Sequence, residues 1–193
     1  GAAAGTVGVA YGLYRMKPEE IPQTAVLSSA FFVASLIHVP VPPASAHLVL
    51  VGLLGLVLGW SAVPAIFVGL LLQYVFFSHG GLTTLGVNTV CMGLPAVLCH
   101  CLLRRPVRQA ARRGGFMYGA IAGAVGIGVS AFLVCLCLYS SEERFLPFVW
   151  GILAYHVPLM LVEALVTGTA VSFLRQVRPE VFAVVPQPAP EAG

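Results

Sequence analysis

The stretch FMYGAIAGAVGIGVSAFLVCLCLY, residues 116–139, runs for 24 residues without a charge. At about 1.5 Å rise per residue it makes a helix of about 36 Å, enough to cross a hydrocarbon core of about 30 Å. Arg112 and Arg113 bound it on one side and Ser140-Ser141-Glu142-Glu143-Arg144 on the other. Gly115, Gly119 and Gly123 recur at four-residue spacing, which lets helix backbones approach closely in lipid. The stretch therefore reads as a transmembrane helix.

The remainder of the chain agrees. Of 193 residues, 59% are hydrophobic and only 9% are charged. A soluble domain carries about 25% charged residues, so this chain has too few polar groups to cover a water-facing surface. The same composition excludes low-complexity disorder, and a net charge of +3 is no nucleic-acid footprint. Apolar runs between turn and charge signals divide the chain into seven segments: 1–14, 24–37, 45–60, 62–78, 83–103, 116–139 and 145–174. The expected fold is all-α, a polytopic bundle of seven transmembrane helices forming one domain over residues 1–178. Residues 179–193 contain four prolines and read as a flexible cytoplasmic tail. The first segment spans about 21 Å and the chain begins with Gly rather than Met, so the first helix reads as truncated. No basic region precedes it, as a signal peptide would require.

Basic residues set the orientation. With alternating crossings, Arg15, Lys17, Arg104, Arg105, Arg108, Arg112, Arg113, Arg175 and Arg178 share one side, and only Arg144 of the ten Lys and Arg residues lies opposite. The expected topology places the N-terminus outside and the C-terminus in the cytoplasm. Small residues at four-residue spacing (Gly8 and Gly12, Ala30 and Ala34, Gly55 and Gly59) suit bundle packing or docking to another membrane subunit. The five cysteines all lie in apolar runs, where they act as small hydrophobes. Cys99-His100-Cys101 lacks the paired spacing of a zinc site, because residues two apart diverge on a helix.

Four of the five histidines fall toward the outer side. His38 ends the second helix, Pro40, Pro42 and Pro43 shape a tight loop, and His47 opens the third helix. His79-Gly80-Gly81 makes the next outer turn, Thr83 or Thr84 caps the fifth helix, and Asn88 lies one to two turns below. His156 sits in the outer half of the last helix, where a backbone carbonyl near Pro158 is an alternative partner to a metal. His38 and His79 equally suit a watery interface. Imidazole is the commonest protein metal ligand, and polar groups within a bundle mark function by default. The acids are all Glu, and only Glu163 lies within a span, so no oxygen cage for calcium or magnesium can form. A nitrogen-rich site suits nickel, cobalt, copper or zinc. Glu163 reads as a packing or loop-bonding group, with a proton or coupling role as the alternative. No HExxH, GxSxG or GxxxxGK[ST] pattern occurs, so the chain itself is expected to be no enzyme and to bind no nucleotide.

The segments SLIHVP (35–40), AHLVL (46–50), GGLTTLGVNT (80–89), EALVTG (163–168) and SFLR (172–175) resemble the CbiM/NikM substrate-binding membrane subunits of energy-coupling factor cobalt and nickel importers. The resemblance runs over nearly the whole chain. It implies a seven-helix bundle in the prokaryotic cytoplasmic membrane that captures Ni²⁺ or Co²⁺ as transported substrate beneath the outer loops. In the family a Met-His terminus plugs into the bundle. Its amine, a deprotonated amide and the second-residue imidazole join one further His in a square-planar nitrogen site. That His corresponds to His47 here. Asn88 would line or support the site, and His38 and His79 would flank it in the outer cavity. Val51 and Cys91 stand where relatives often carry Asn. The implied partners are a transmembrane coupling subunit, two cytoplasmic ATPases and a small auxiliary membrane subunit, with Ala30 and Ala34 on the face meeting the coupling subunit. Two other classes compete. A passive metal or small-solute channel would need a continuous polar stripe, and an intramembrane metalloenzyme would need a general acid or base beside its metal.

Overall fold

The computed structural model describes residues 1–41, 44–78, 80–110, 112–140 and 146–182. Among them are seven α-helices: α1 (Ala2–Arg15), α2 (Ile21–Ala34), α3 (Val51–Leu58), α4 (Ala62–Phe77), α5 (Leu85–Gln109), α6 (Arg112–Tyr139) and α7 (Leu146–Val177). Four segments are long and apolar enough to cross a bilayer: Val51–Phe77, Leu85–Gln109, Gly114–Tyr139 and Trp150–Val177. Helices α1 and α2 have 14 residues each, about 21 Å of helix.

Although Val51–Phe77 forms one apolar run, its two helices point in opposite directions. The residues just before α3 and the last turns of α4 share a cavity that includes His47, Gln73 and Tyr74. Trp60, at the joint between them, lies at the far end with Arg15 and Arg104. The reversal occurs at Gly59, whose φ of 60° suits a residue without Cβ. The remaining helices alternate in the same way. The start of α5 and the end of α6 meet at one end through Cys91 and Cys137. At the other end Arg175, late in α7, donates to the carbonyl of Ala110.

Helix α3 is the centre of the bundle, and all eight of its residues are buried. It packs on α5 and α6, while α6 and α7 share the longest interface of the molecule. Close approach depends on the small residues. A Cβ on Gly55 would run into the carbonyl of Ala96, one on Gly52 into that of Ala122, and one on Gly123 into that of Glu163. Gly119 faces Val171 and Gly168, and Gly12 faces Pro64 and the Trp60 carbonyl. These glycines serve packing inside the bundle. On the outside, Trp150, Val157, Leu161, Leu165 and Phe173 of α7 are exposed. Such an apolar face finds its natural solvent in lipid.

Two local expectations are corrected. The segment expected to start a helix at residue 45 instead forms a hairpin, β1 (His38–Val41) antiparallel to β2 (Ala44–His47), with His38 opposite His47. His47 therefore ends a strand, and α3 starts only at Val51. The prolines explain the strand, because each lacks a donor and pushes its predecessor toward extended backbone. Thr84 stands at the start of α5 without capping it, since its hydroxyl donates to the Gly81 carbonyl at 3.0 Å. Of the tail expected to be flexible, residues 179–182 are described and residues 183–193 lie outside the described residues. Pro179–Phe182 forms a 3-10 turn and the Phe182 side chain is 2% exposed.

Candidate functional site

Residues 48–50, between β2 and α3, are suspended from a single carboxylate. Glu163 of α7 is fully buried and accepts the backbone N–H groups of Val49 and Leu50, the latter at 3.0 Å and 3.1 Å to its two oxygens. An anion there also faces the positive end of the α3 dipole. The attachment holds Leu50 at φ 53°, in the left-handed region. For a branched side chain that conformation costs about 1–3 kcal/mol and persists only when its surroundings enforce it. Glu163 is thus a loop-bonding group, and the loop it fixes leads directly back to His47.

His47 lines two cavities. One, of about 200 Å³, also includes Asn88, Cys91, Met92, Ser130, Tyr155 and His156. The other, of about 110 Å³, includes Gln73, Tyr74, Gly80 and again Asn88 and Met92. The His47 Nδ1 lies 3.3 Å from the Leu48 carbonyl, and the His156 Nδ1 lies 2.7 Å from the Ile152 carbonyl. A carbonyl only accepts, so each ring is placed to donate from Nδ1, and a neutral ring that does so has its lone pair on Nε2, the form that binds a metal. The Ser130 and Tyr155 hydroxyls and the Gln73 amide nitrogen are buried without a hydrogen-bond partner among the described residues. Among the described residues, no carboxylate lines either cavity.

The sequence-predicted residues are distributed as follows. His47 and Asn88 come together, with Asn88 in the first turn of α5. His38 lies opposite His47 in the hairpin register. His79 lies outside the described residues. His156 joins the His47 cavity and does not use the carbonyl freed by Pro158; its partner Ile152 is one turn before it on the same helix. Ala30 is exposed, but Ala34 is 7% exposed and packs into the core. Four residues on a helix turn slightly more than one revolution, which carries Ala34 toward α4. An outward face on α2 consists of Val26, Ala30 and Val33, without Ala34. No group of three or more His, Cys, Asp or Glu able to hold a metal occurs among the described residues. None of the five cysteines is in a disulfide.

Residues 1–181 match the family described as the cobalt uptake substrate-specific transmembrane region, CbiM. The chain belongs to the CbiM family. A putative metal transport protein of Haemophilus influenzae is 39% identical over 94% of this chain and 89% of its own length. The fused nickel transport protein NikMN of Rhodobacter capsulatus is 30% identical over 90% of this chain, which spans 55% of that longer protein. In fold, the chain is similar to a truncated transition metal transporter solved by crystallography. The TM-score is 0.68 at 21% identity, covering 91% of this chain and 89% of the other. As a CbiM-family member the chain is a multi-pass membrane protein of the prokaryotic cell membrane, of a kind that transports cobalt or nickel and is not an enzyme.

Proposed function

We propose that the chain is the substrate-capture subunit of an ATP-driven energy-coupling factor importer, taking Ni²⁺ or Co²⁺ from the outer side. The observation that carries this reading is the pair of cavities meeting at His47, with no carboxylate among the described residues that line them, at the end of the bundle opposite Arg15, Arg104, Arg105 and Arg108. Imidazole nitrogen suits these borderline ions, and the lack of carboxylates disfavours calcium and magnesium. In this reading His47 is a ligand, Asn88 supports it from α5, and His38 and His79 flank the cavity. Gly1 packs against Val87, next to Asn88, so a Met-His segment placed ahead of it would begin at the cavity's end of the bundle.

The helices cross seven times, with the N-terminus outside and the arginine-bearing end in the cytoplasm, as the basic residues favour. A channel is disfavoured by the centre of the bundle. The His47 cavities and the arginine-lined cavity share no residue, and Val51, Leu54 and Leu56 fill the space between as fully buried side chains.

Transport then requires partners. The fused relative, which continues beyond the part matching this chain, supports assembly with further transport segments. The coupling subunit meets the exposed face of α2 at Ala30, and two ATPases and a small auxiliary subunit complete the complex. ATP hydrolysis tips the bundle so that the ion faces inward. Ala30→Trp is expected to leave ion binding intact, to prevent co-purification of the coupling subunit and to abolish ATP-dependent ⁶³Ni²⁺ or ⁵⁷Co²⁺ uptake into proteoliposomes. Normal assembly and uptake by that variant would remove α2 from the coupling interface. Uptake by the unmodified chain without ATPases would refute the importer itself.

A further inference from the structure

At the end of the bundle away from His47 lies a cavity of about 640 Å³, lined by Arg15 of α1, Arg104, Arg105 and Arg108 of α5, His100 and Trp60. The positive-inside tendency explains why arginines occupy this end. It does not explain why four from two separate helices converge on one hollow. Among the described residues, no carboxylate lines it. The nearby Glu20 accepts the Ser61 hydroxyl at 3.1 Å and offsets part of the charge on Arg104. The net balance still calls for an anion, and the planar guanidinium fork matches phosphate oxygens in pairs.

A second cavity distinguishes among anions. Trp60 also lines a crevice of about 150 Å³ between α1 and α5, whose other walls are Gly5 and Gly8 on one side and Gly93, Leu94 and Val97 on the other. This crevice is almost wholly apolar. At the junction Tyr11 meets Trp60 edge-to-face with centroids 4.8 Å apart, and the Arg15 guanidinium lies 5.8 Å over the Tyr11 ring. Trp and Tyr favour the level of lipid headgroups. A basic mouth opening onto an apolar slot, with aromatic rings at the boundary, has the profile of a phospholipid.

We propose that this is a binding site for one anionic diacyl phospholipid, its phosphate among Arg15, Arg104, Arg105 and Arg108 and one acyl chain in the α1–α5 crevice. Basic pockets between membrane helices hold anionic headgroups in this manner. The inference needs only that the chain lies in a bilayer and is independent of the metal reading. Occupancy would tie α1 to α5.

The test is native mass spectrometry of the full chain released from nanodiscs of phosphatidylglycerol and phosphatidylethanolamine. The expected result is retention of one phosphatidylglycerol in preference to phosphatidylethanolamine. Arg105→Ala/Arg108→Ala, at exposed positions, is expected to lower that retention at least tenfold while the protein still elutes as a single species. Gly8→Leu fills the crevice, since a Cβ there meets only Val63 at 3.4 Å, and is expected to lower it as well. Equal retention in the double arginine variant would overturn the proposal. Displacement by inorganic phosphate at similar concentration, with Gly8→Leu without effect, would overturn the lipid in favour of a small anion. Loss of coupling-subunit assembly in the arginine variant with lipid retention unchanged would overturn it in favour of an acidic protein segment.

Discussion

Glu163→Leu is expected to destabilise the bundle by about 2–6 kcal/mol, from about 1–3 kcal/mol for each buried donor left without an acceptor. The two orphans would be the amides of the buried residues Val49 and Leu50. The loss compounds because this attachment helps to hold Leu50 in its left-handed conformation. With the loop released, His47 loses its fixed position, and ion affinity is expected to fall at least tenfold. Glu163→Gln keeps one acceptor oxygen and is expected to lose about 1–3 kcal/mol, the cost of one bond. Thermal unfolding in detergent with an ion titration of each variant checks the order wild type, Gln, Leu. Unfolding of the Leu variant at the wild-type temperature would mean that the carboxylate does not hold the loop.

Gly55→Leu is expected to cost at least about 3 kcal/mol, at or beyond the upper end of ordinary overpacking. The obstacle is backbone rather than a side chain that can turn aside: the Cβ alone would run into the carbonyl of Ala96. Helix α3 has buried residues all round and cannot shift without moving α5 or α6. Poor recovery of monodisperse protein and a lowered unfolding midpoint are the readouts. Gly8→Ala is the contrast, because its Cβ would make an ordinary contact with Val63 at 3.4 Å. A midpoint close to wild type is expected there. If Gly55→Leu behaves like Gly8→Ala, the α3–α5 packing described above is wrong.

These two positions also mark what the sequence reveals and what it conceals. Uncharged runs such as residues 116–139 announce membrane helices, since few other structures can use them. The glycine spacing in α6 likewise predicted close packing, although only the structure assigns Gly123 to Glu163. The start of α3 was misread because an apolar run has no mark where strand gives way to helix. That boundary is set by Glu163, more than a hundred residues away in sequence. His156 was hidden for the same reason. Its share in the His47 cavity depends on how α7 lies beside α5, and no local spacing encodes that. Its position in the outer half of its helix was the only available signal. Ala30 and Ala34 looked equivalent by spacing, yet the packing of α2 on α4 buries one and exposes the other.

The central claim is that His47 is a ligand for the transported ion. Its most direct test is calorimetric titration of Ni²⁺ and Co²⁺ into the purified chain carrying an added N-terminal Met-His, beside the same chain with His47→Ala. His47 is half-buried at a strand end, so its truncation should leave the fold intact, as the unfolding midpoint would verify. The account predicts tight binding of one ion to the extended chain and a loss of at least a hundredfold in the His47→Ala variant. Undiminished binding in a folded His47→Ala variant would contradict it and move the ligand set elsewhere.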